Sequence, residues 1–338
     1  MNILVGVSGS IAATLTSKLV DKLKEDGHNV YVVVTKSAEN FITVPDWKDI
    51  QLFTDESEWV LYRAEKKVLH ILLRDWADLL LIAPCTANTW AKMNVGLCDN
   101  LLTNVFMAWP YTKPIVIAPA MNTVMWENLE EGRLTKLTNC HILPTQTKEL
   151  FCGQVGAGAM ADINEIAECV NKQFHWKFPV KTGVGQRFIP TNDHPGAFGY
   201  KRKHYYHSGV DIYTAKDNEL VYAVESGQVI KVSPFTGPKA GSPWWEDTTG
   251  ILVDGLSGVV CYGEVRPFVK TGDTVYKGQA IARVKRVLID LPEHPPIYHS
   301  PYMLHLELYE KGTTDFLEWM DERPKGLLDP TNHLLQSI

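Results

Sequence analysis

The first half of the chain is dominated by near-continuous apolar runs that recur between segments of helical pattern. The runs are NILVGV (2–7), NVYVVVT (29–35), LLLIAP (79–84) and PIVIAP (114–119). Strands that are covered on both faces have such uninterrupted hydrophobicity, whereas half-exposed strands alternate. Strands and helices in alternation predict a parallel sheet with right-handed crossovers and helices on both faces. The first half is therefore predicted to be an α/β domain.

Small polar residues follow three of these runs: SGS (8–10), TKS (35–37) and CTAN (85–88). In open parallel sheets, ligands bind beyond the carboxyl ends of the strands. Hydroxyl and backbone N–H groups at a helix start suit a phosphate, although a Ser-Gly-Ser turn also caps helices that bind nothing. These turns alone therefore leave the ligand open.

The sequence changes character near Phe174. Residues 174–200 are rich in proline, glycine and aromatic side chains and have no helical period, which predicts a linker leading into a second domain. Short alternating runs such as LVYAVESGQVIKV (220–232) follow, punctuated by glycines, as is typical of an antiparallel all-β fold. We predict one domain over 1–173 and a smaller β domain over 201–338, with 174–200 between them.

Composition mainly excludes partners and compartments. The net charge of -6 gives no electrostatic footprint for nucleic acid or an acidic membrane, and no apolar stretch reaches the length of a membrane span. Six cysteines show neither regular spacing nor a CxxC pair, which favours free thiols in a reducing compartment. We expect a cytoplasmic protein that binds neither nucleic acid nor membrane.

Four longer motifs point to a family for the first half. They are ADLLLIAPCTANT (77–89), GLCDNLLT (96–103), PAMNTVMW (119–126) and CGQVGAGAMAD (152–162). In order and spacing they resemble the flavin-containing cysteine decarboxylases, most closely the phosphopantothenoylcysteine decarboxylases of coenzyme A biosynthesis. The resemblance covers about half the chain and implies a flavodoxin-like fold, bound FMN and a homotrimer.

The resemblance also implies roles for individual residues. His70 matches the acid/base histidine of the family, Cys152 its proton-donating cysteine, and Asn122 and Met160 its substrate-binding positions. Flavin contacts are implied at Ser10, Ile11, Ala12, Thr35, Ser37, Thr86, Ala87, Asn88, Thr89 and Ala120.

The chemistry of decarboxylation explains why these residue types are needed. Loss of CO2 from a cysteine-derived carboxylate requires an electron sink, which a flavin supplies by oxidising the Cα–Cβ–SH unit. A thiol with a pKa of about 8.5 can then return a proton to carbon. By residue type alone Cys152 is more typical of a buried, inert thiol, but its family motif and the glycines around it favour a flap that closes over the substrate.

Two positions bear on the substrate. Relatives that act on a phosphorylated substrate tend to have basic residues where this chain has Asp75 and Glu149, and acids there would repel a phosphate. Arg74 and Lys148 stand beside them and could reach it instead. We expect a small-molecule cysteine conjugate, with 4'-phosphopantothenoylcysteine first and a peptidyl or amino-acid conjugate as the alternative.

The second half carries a His-x-x-x-Asp spacing at His207 and Asp211, and a later histidine, His305, in MLHLELY (303–309). Together with GDTVYKGQAIARV (272–284), these segments resemble the lysostaphin-type zinc endopeptidases. The resemblance implies a zinc ion held by His207, Asp211 and His305, with one position open for water.

The activating histidines of those peptidases are missing, because Met303 and Glu264 stand in their places. Methionine cannot take a proton from a zinc-bound water, whereas glutamate could act as a base. We expect a degenerate module that retains zinc but lacks peptidase activity. Two alternatives stay open: a zinc-dependent peptide hydrolase, and a structural protein in which both sites are vestigial.

Overall fold

The computed structural model describes residues 1–42, 50–130, 140–149, 153, 155–181, 188–214, 217–241, 245–287 and 302–338. The chain divides into two compact units, unit 1 (Met1–Gln173) and unit 2 (Phe174–Ile338). Each unit has its own hydrophobic core. Among the residues described, none of the helices is both long enough and apolar enough to cross a bilayer.

Unit 1 alternates strands with helices. Its strands are β1 (Asn2–Val7), β2 (Asn29–Val34), β3 (Gln51–Phe53), β4 (Leu79–Cys85), β5 (Ile115–Pro119), β6 (His141–Ile142), β7 (Gln146–Glu149) and β8 (Val155–Ala159). Its helices are α1 (Thr16–Glu25), α2 (Asp55–Glu65), α3 (Leu69–Trp76), α4 (Ala87–Val95), α5 (Leu101–Met107), α6 (Thr123–Glu130) and α7 (Ile163–Phe174). A 3-10 turn over Ile11–Leu15 precedes α1.

Six of these strands form one parallel sheet in the order β3-β2-β1-β4-β5-β6. Without the short edge strand β3, this is the strand order of flavodoxin-like folds. Every residue of β4 and β5 is buried, as the uninterrupted apolar runs indicate. The predicted flavodoxin-like sheet is confirmed. The chain passes from β1 to β2 and β3 on one side of β1 and then crosses to β4 on its other side. Such a reversal of strand order opens a crevice beyond the carboxyl ends of β1 and β4.

The last two strands of unit 1, β7 and β8, form a separate antiparallel hairpin. It packs on the PAMN segment: the Met121 N–H donates to the Gly158 carbonyl at 2.9 Å. A Cβ on Gly158 would lie 2.5 Å from the Met121 carbonyl oxygen, so only glycine allows this approach. The residue predicted to donate the proton, Cys152, lies outside the described residues.

Unit 2 is an antiparallel β structure, and the predicted all-β fold is confirmed. Its strands are β9 (Val210–Tyr213), β10 (Leu220–Tyr222), β11 (Gly227–Pro234), β12 (Thr249–Gly255), β13 (Val259–Pro267), β14 (Thr274–Val275), β15 (Ala280–Val284), β16 (Met303–Tyr309) and β17 (Leu327–Leu328), followed by α8 (Thr331–Leu335). The sheet runs β10-β15-β13-β12-β11-β14, and β16 pairs with β13, β17 and β9. Trp176, Phe178 and Val180, from the segment predicted as a linker, are buried in its core.

Candidate functional site

A cavity of about 520 Å³ lies in unit 1 beyond the carboxyl ends of β1, β2 and β4. Three loops from distant parts of the chain meet there because their strands are neighbours in the sheet. Its lining consists of Gly9, Ser10, Thr35, Lys36, Ser37, Asp55, Thr86, Ala87, Asn88, Thr89, Lys92, Asp99, Asn100, Ala120, Met121 and Met125. The position is the one at which doubly wound sheets bind their ligands.

Hydroxyl side chains build the walls of this cavity. Buried Ser8 donates to the Pro84 carbonyl at 2.8 Å and accepts from the Thr86 N–H at 2.9 Å, which ties the end of β1 to the end of β4. Ser10 caps the 3-10 turn by accepting from the Ala12 N–H at 3.3 Å, and Thr86 caps α4. The first and third loops are thereby fixed in place by short-range bonds.

Thr35 provides the test of whether a polar ligand fits. It lines the cavity, and its hydroxyl oxygen is buried with no hydrogen-bond partner among the residues described. Buried polar groups are nearly always paired, so this oxygen lacks a partner that a ligand can supply. Across the cavity entrance, a Cβ on Gly9 would lie 2.5 Å from that of Ser37, so the first two loops approach as closely as the chain permits. The lining therefore fits a phosphorylated, hydroxyl-bearing group such as FMN.

Eight of the ten residues predicted to contact flavin line this cavity, whereas Ile11 and Ala12 do not. Ile11 is exposed. Eight further lining residues received no role from the sequence: Gly9, Lys36, Asp55, Lys92, Asp99, Asn100, Met121 and Met125. Asp99, Asn100, Met121 and Met125 lie within the family motifs, and Lys92 lies between two of them. Gly9 and Lys36 lie in the polar turns after β1 and β2, so Asp55 is the lining residue that neither signal indicates.

Most of the charged side chains that line the cavity have partners within the protein. Lys92 forms an ion pair with Asp99 at 2.7 Å, and Asp55 accepts from the Leu101 N–H at 2.8 Å at the start of α5. Lys36 is exposed beside the first two loops. It adds a positive charge to the second loop, next to Ser37, which approaches Gly9 of the first loop.

The predicted acid/base histidine, His70, lies on α3 and does not line the cavity. Its Nδ1 atom is paired with the Glu58 carboxylate of α2. Because a carboxylate accepts the Nδ1 proton, the Nε2 atom is left to accept or donate a proton elsewhere. Glu58 therefore sets the orientation and tautomer of this imidazole.

The two predicted substrate-binding residues lie where the hairpin meets the PAMN segment. The Asn122 side chain accepts from the Val124 N–H at 2.9 Å and so starts α6. Met160 follows β8 and is buried. Arg74, one of the two cations considered for a substrate phosphate, forms an ion pair with Asp75 at 2.7 Å. Lys148 lies 3.5 Å from the Gln146 side-chain oxygen.

In unit 2, the three predicted metal ligands come together in a buried cluster. His305 on β16 stands opposite Asp211 on β9, and His207 lies four residues before Asp211. The Asp211 Oδ1 atom is 3.0 Å from His207 Nε2 and 2.8 Å from His305 Nδ1, and the two nitrogens are 3.1 Å apart. Ligands of a tetrahedral zinc ion, each about 2.1 Å from the metal, lie about 3.4 Å apart. A shift of a few tenths of an ångström per atom would therefore admit the ion.

The hydrogen bonds around the cluster assign its protons. The His207 Nδ1 atom lies 2.9 Å from the Ala197 carbonyl and must donate to it, because a carbonyl only accepts. The His305 Nε2 atom likewise donates to the Glu307 carboxylate at 3.0 Å. Neutral imidazoles would then direct two lone pairs and the Asp211 oxygen at one point. A proton or a metal cation at that point is needed to hold them together.

Charged groups around the cluster have perturbed pKa values. Burial opposes ionisation of Asp211, but its interactions with His207 and then His305 hold its pKa well below the ordinary value. Burial also acts to lower the pKa of His305, and its hydrogen bonds to Asp211 and Glu307 overcome this and raise it. The second Asp211 oxygen accepts from Arg202 at 3.0 Å, which leaves one carboxylate oxygen for a metal.

The residues that replace the two missing histidines lie beside this cluster. Glu264 has a left-handed backbone (φ +62°) where β13 leaves β16 for β15, and its buried Oε2 atom has no partner among the residues described. Burial, and next the charge of Asp211, raise the pKa of Glu264 to about 8. Met303 stands opposite Tyr213 on β9.

Sequence comparison places unit 1 among known proteins. The mouse phosphopantothenoylcysteine decarboxylase is 44% identical over 169 residues, 48% of this chain and 82% of the mouse protein. An Arabidopsis thaliana phosphopantothenoylcysteine decarboxylase is 46% identical over 167 residues, 47% of this chain and 78% of its own. Among solved structures, a PPC decarboxylase mutant complexed with pantothenoylaminoethenethiol is 42% identical, with a TM-score of 0.48, over 51% of this chain and 96% of its own.

The profile of the Flavoprotein family matches residues 1–175, more than half of the chain. This match covers the whole parallel sheet, the cavity at its carboxyl edge and the hairpin that follows. The chain belongs to the Flavoprotein family.

Proposed function

We propose that unit 1 binds FMN and catalyses the decarboxylation of a cysteine conjugate. The observation that carries the proposal is the cavity at the ends of β1, β2 and β4, where eight residues with implied flavin contacts converge. One of them is Thr35, whose buried hydroxyl has no partner among the residues that the structure describes. The proposal is also supported by the names of relatives that are 44% and 46% identical to this chain.

FMN supplies the electron acceptor that lets the Cα–COOH bond of the conjugate break. The chain contributes the remaining parts: Ser10, Thr35 and Ser37 would hold the phosphate and ribityl groups, and Thr86–Thr89 would border the ring. Asn122 would bind the carboxylate or amide of the substrate. His70, oriented by Glu58, would move a proton, and Cys152 would return one to carbon.

We propose 4'-phosphopantothenoylcysteine as the substrate, with a peptidyl or amino-acid conjugate as the second candidate. The named relatives favour the first. The ion pair of Arg74 with Asp75 favours the second, because it takes up a guanidinium that a phosphate could otherwise use. Incubation with both kinds of conjugate, followed by mass spectrometry for loss of CO2, decides between them.

His70→Asn is expected to abolish turnover while leaving flavin binding unchanged, because His70 does not line the cavity. Its matched control is His28→Asn, which alters a half-buried histidine that bonds Asn171 at 2.7 Å.

Cys152→Ser is expected to accumulate the oxidised enethiol. Its control is Cys98→Ser, at an exposed cysteine, which is expected to behave as wild type. Full product formation by Cys152→Ser, or a protein without affinity for FMN, contradicts the proposal.

We further propose a cytoplasmic homotrimer. The resemblance supports the trimer, and exposed apolar side chains of unit 1, including Trp59, Val95 and Tyr111, offer surface for subunit contacts. The location rests on the six cysteines, which show neither regular spacing nor a CxxC pair. Native mass measurement of the FMN-loaded protein tests the trimer.

A second function is proposed for unit 2: a divalent cation centre, most simply zinc, at His207, Asp211 and His305. The convergence of two imidazole lone pairs and one carboxylate oxygen within 3.1 Å favours it. Two nitrogens and an oxygen suit zinc. We do not extend the proposal to peptide hydrolysis, because Met303 and Glu264 stand where the peptidases have their two activating histidines. Elemental analysis of wild type and His207→Ala tests the centre, with about one ion per chain expected in wild type alone.

A further inference from the structure

Glu307 is a buried carboxylate that contacts His305 of the proposed cation centre, on the side of the imidazole ring that faces away from Asp211. It is 2% exposed, and its Oε1 atom lies 3.0 Å from His305 Nε2. His305 and Glu307 are two residues apart on β16, so both side chains lie on the same face of the strand. Glu307 therefore acts on the centre through the imidazole of His305 rather than by direct contact.

Glu307 is itself held firmly. Its Oε1 atom also accepts from the Ser208 hydroxyl and its Oε2 atom from the Tyr309 hydroxyl. Ser208 follows the ligand His207 in the chain, so the network reaches both histidines of the centre. An ionised carboxylate is costly to bury, and the hydrogen bonds from His305, Ser208 and Tyr309 are what allow it here.

The two histidines differ in the group behind them. His207 donates its outer proton to a neutral acceptor, the Ala197 carbonyl, at 2.9 Å, whereas His305 donates to a full negative charge. A carboxylate behind an imidazole fixes the ring and its tautomer and makes the opposite nitrogen a stronger electron donor. Without that acceptor, the proton of neutral His305 could move to Nδ1 and block the ligand position.

We propose that Glu307 is a positioning residue of the cation centre, which holds His305 with Nδ1 free and raises its affinity for a divalent cation. This inference rests on the second function proposed above. It assigns an affinity-setting role to a residue that is not a ligand.

The test measures Zn²⁺ affinity of the full-length protein, after removal of metal, by competition with a chromophoric chelator. Glu307→Gln keeps the size and an acceptor atom but removes the charge. We expect its affinity to fall by about 10- to 100-fold, with binding still saturating near one ion per chain. The visible absorption of bound Co²⁺ should change as well, because the loss of the Glu307 charge makes the His305 ligand a weaker electron donor.

The matched control is Glu225→Gln, the same substitution at another buried carboxylate of unit 2, held by Ser257 rather than by a ligand. It is expected to bind Zn²⁺ as tightly as wild type. If Glu307→Gln does not fold, Tyr309→Phe keeps the carboxylate but removes one of its donors, and is expected to lower affinity several-fold.

The outcomes separate the two proposals. A wild-type protein that binds no divalent cation at this cluster overturns the centre itself, and with it the role of Glu307. A wild type that binds Zn²⁺, with folded Glu307→Gln and Tyr309→Phe binding it equally well, overturns only the positioning role. A lower melting temperature of Glu307→Gln with unchanged Zn²⁺ affinity also overturns it, because Glu307 is then a purely structural residue.

Discussion

Thr35 lines the cavity, and its hydroxyl is buried without a partner among the residues described. It is therefore the most informative single residue with which to test the proposed flavin site. A buried hydroxyl without a partner costs about 1–3 kcal/mol, and a ligand that pairs with it recovers part of that cost. We expect Thr35→Val to weaken FMN binding by about 10-fold, or about 1.4 kcal/mol, because only the ligand bond is lost. The free energy of unfolding without FMN should stay the same or rise. Quenching of flavin fluorescence gives the affinity.

Thr16→Val is the control for this prediction. Thr16 also carries a buried hydroxyl without a partner among the residues described, but it lies in α1 and does not line the cavity. Its replacement should leave the FMN affinity unchanged. Equal affinities of wild type and Thr35→Val would remove Thr35 from the flavin site.

Glu225 makes the stability of unit 2 depend on pH. Burial raises its pKa from 4.5 to about 7, against the hydrogen bonds from Ser257, and Lys277 and Lys311 are the cations that face it. Between these two values the folded state keeps a proton that the unfolded chain has released. Stability therefore falls as pH rises through about 4.5 to 7, and the penalty is fully present above this range.

Glu225→Gln should remove this part of the pH dependence. From pH 5 to 8, the free energy of unfolding of wild type should fall by of order 2 kcal/mol more than that of the variant. Denaturant unfolding at several pH values measures the difference. Glu318→Gln, at an exposed carboxylate, should follow the wild-type curve. If the free energy of unfolding of wild type and of Glu225→Gln changes equally with pH, Glu225 is not the group that causes the pH dependence.

At the scale of elements, β8 follows the cysteine predicted to lie on a flap, and it packs on α6. A Cβ on Gly156 would lie 2.8 Å from Thr123 Cγ2 and closer still to its Oγ1. Gly156→Ala should therefore push β8 away from α6 and destabilise unit 1 by about 1–3 kcal/mol. Turnover should fall with it, while FMN affinity changes little, because neither residue lines the cavity.

A second substitution tests that explanation directly. Thr123→Ala removes both of the closest atoms, and its hydroxyl has no partner among the residues described. Combined with Gly156→Ala, it should restore more than half of the lost stability, as a double-mutant cycle measures. Additive effects of the two changes would mean that contact with Thr123 is not what destabilises Gly156→Ala.

Elements differ in how far the sequence predicted them, and burial explains the difference. Strands β4 and β5 are buried along their whole length, so their sequences are uninterrupted apolar runs that predict buried strands. Helix α2 has no buried residue, and the β7–β8 hairpin is short and glycine-rich, so neither leaves a clear hydrophobic pattern. In the proposed cation centre, His207 and Asp211 are only four residues apart. His305 lies 98 residues after His207 and is brought to them by the register of β9 and β16. A family motif predicted that meeting, and the physical pattern alone could not. Asp55 reaches the cavity from α2, which carries neither a family motif nor a buried residue, so the sequence did not predict its place there.

At the scale of the whole molecule, two units with separate cores carry two proposed ligands. Each core is a closed set of buried apolar residues within one unit, such as the cluster around Leu80 in unit 1 and around Tyr262 in unit 2. A ligand stabilises only the cooperative unit whose folded state binds it, by about 2.7 kcal/mol at one hundred times its Kd. We therefore expect two unfolding transitions in scanning calorimetry. FMN should raise one of them and Zn²⁺ the other.

Variants assign the transitions and show what would contradict the division. Thr35→Val should reduce only the shift caused by FMN, and His207→Ala should abolish only the shift caused by Zn²⁺. Because each variant alters one proposed site, the untouched transition in the same sample serves as its internal control. A single transition raised by both ligands would show that the two cores unfold together, and the chain would then be one cooperative unit in spite of its two separate cores.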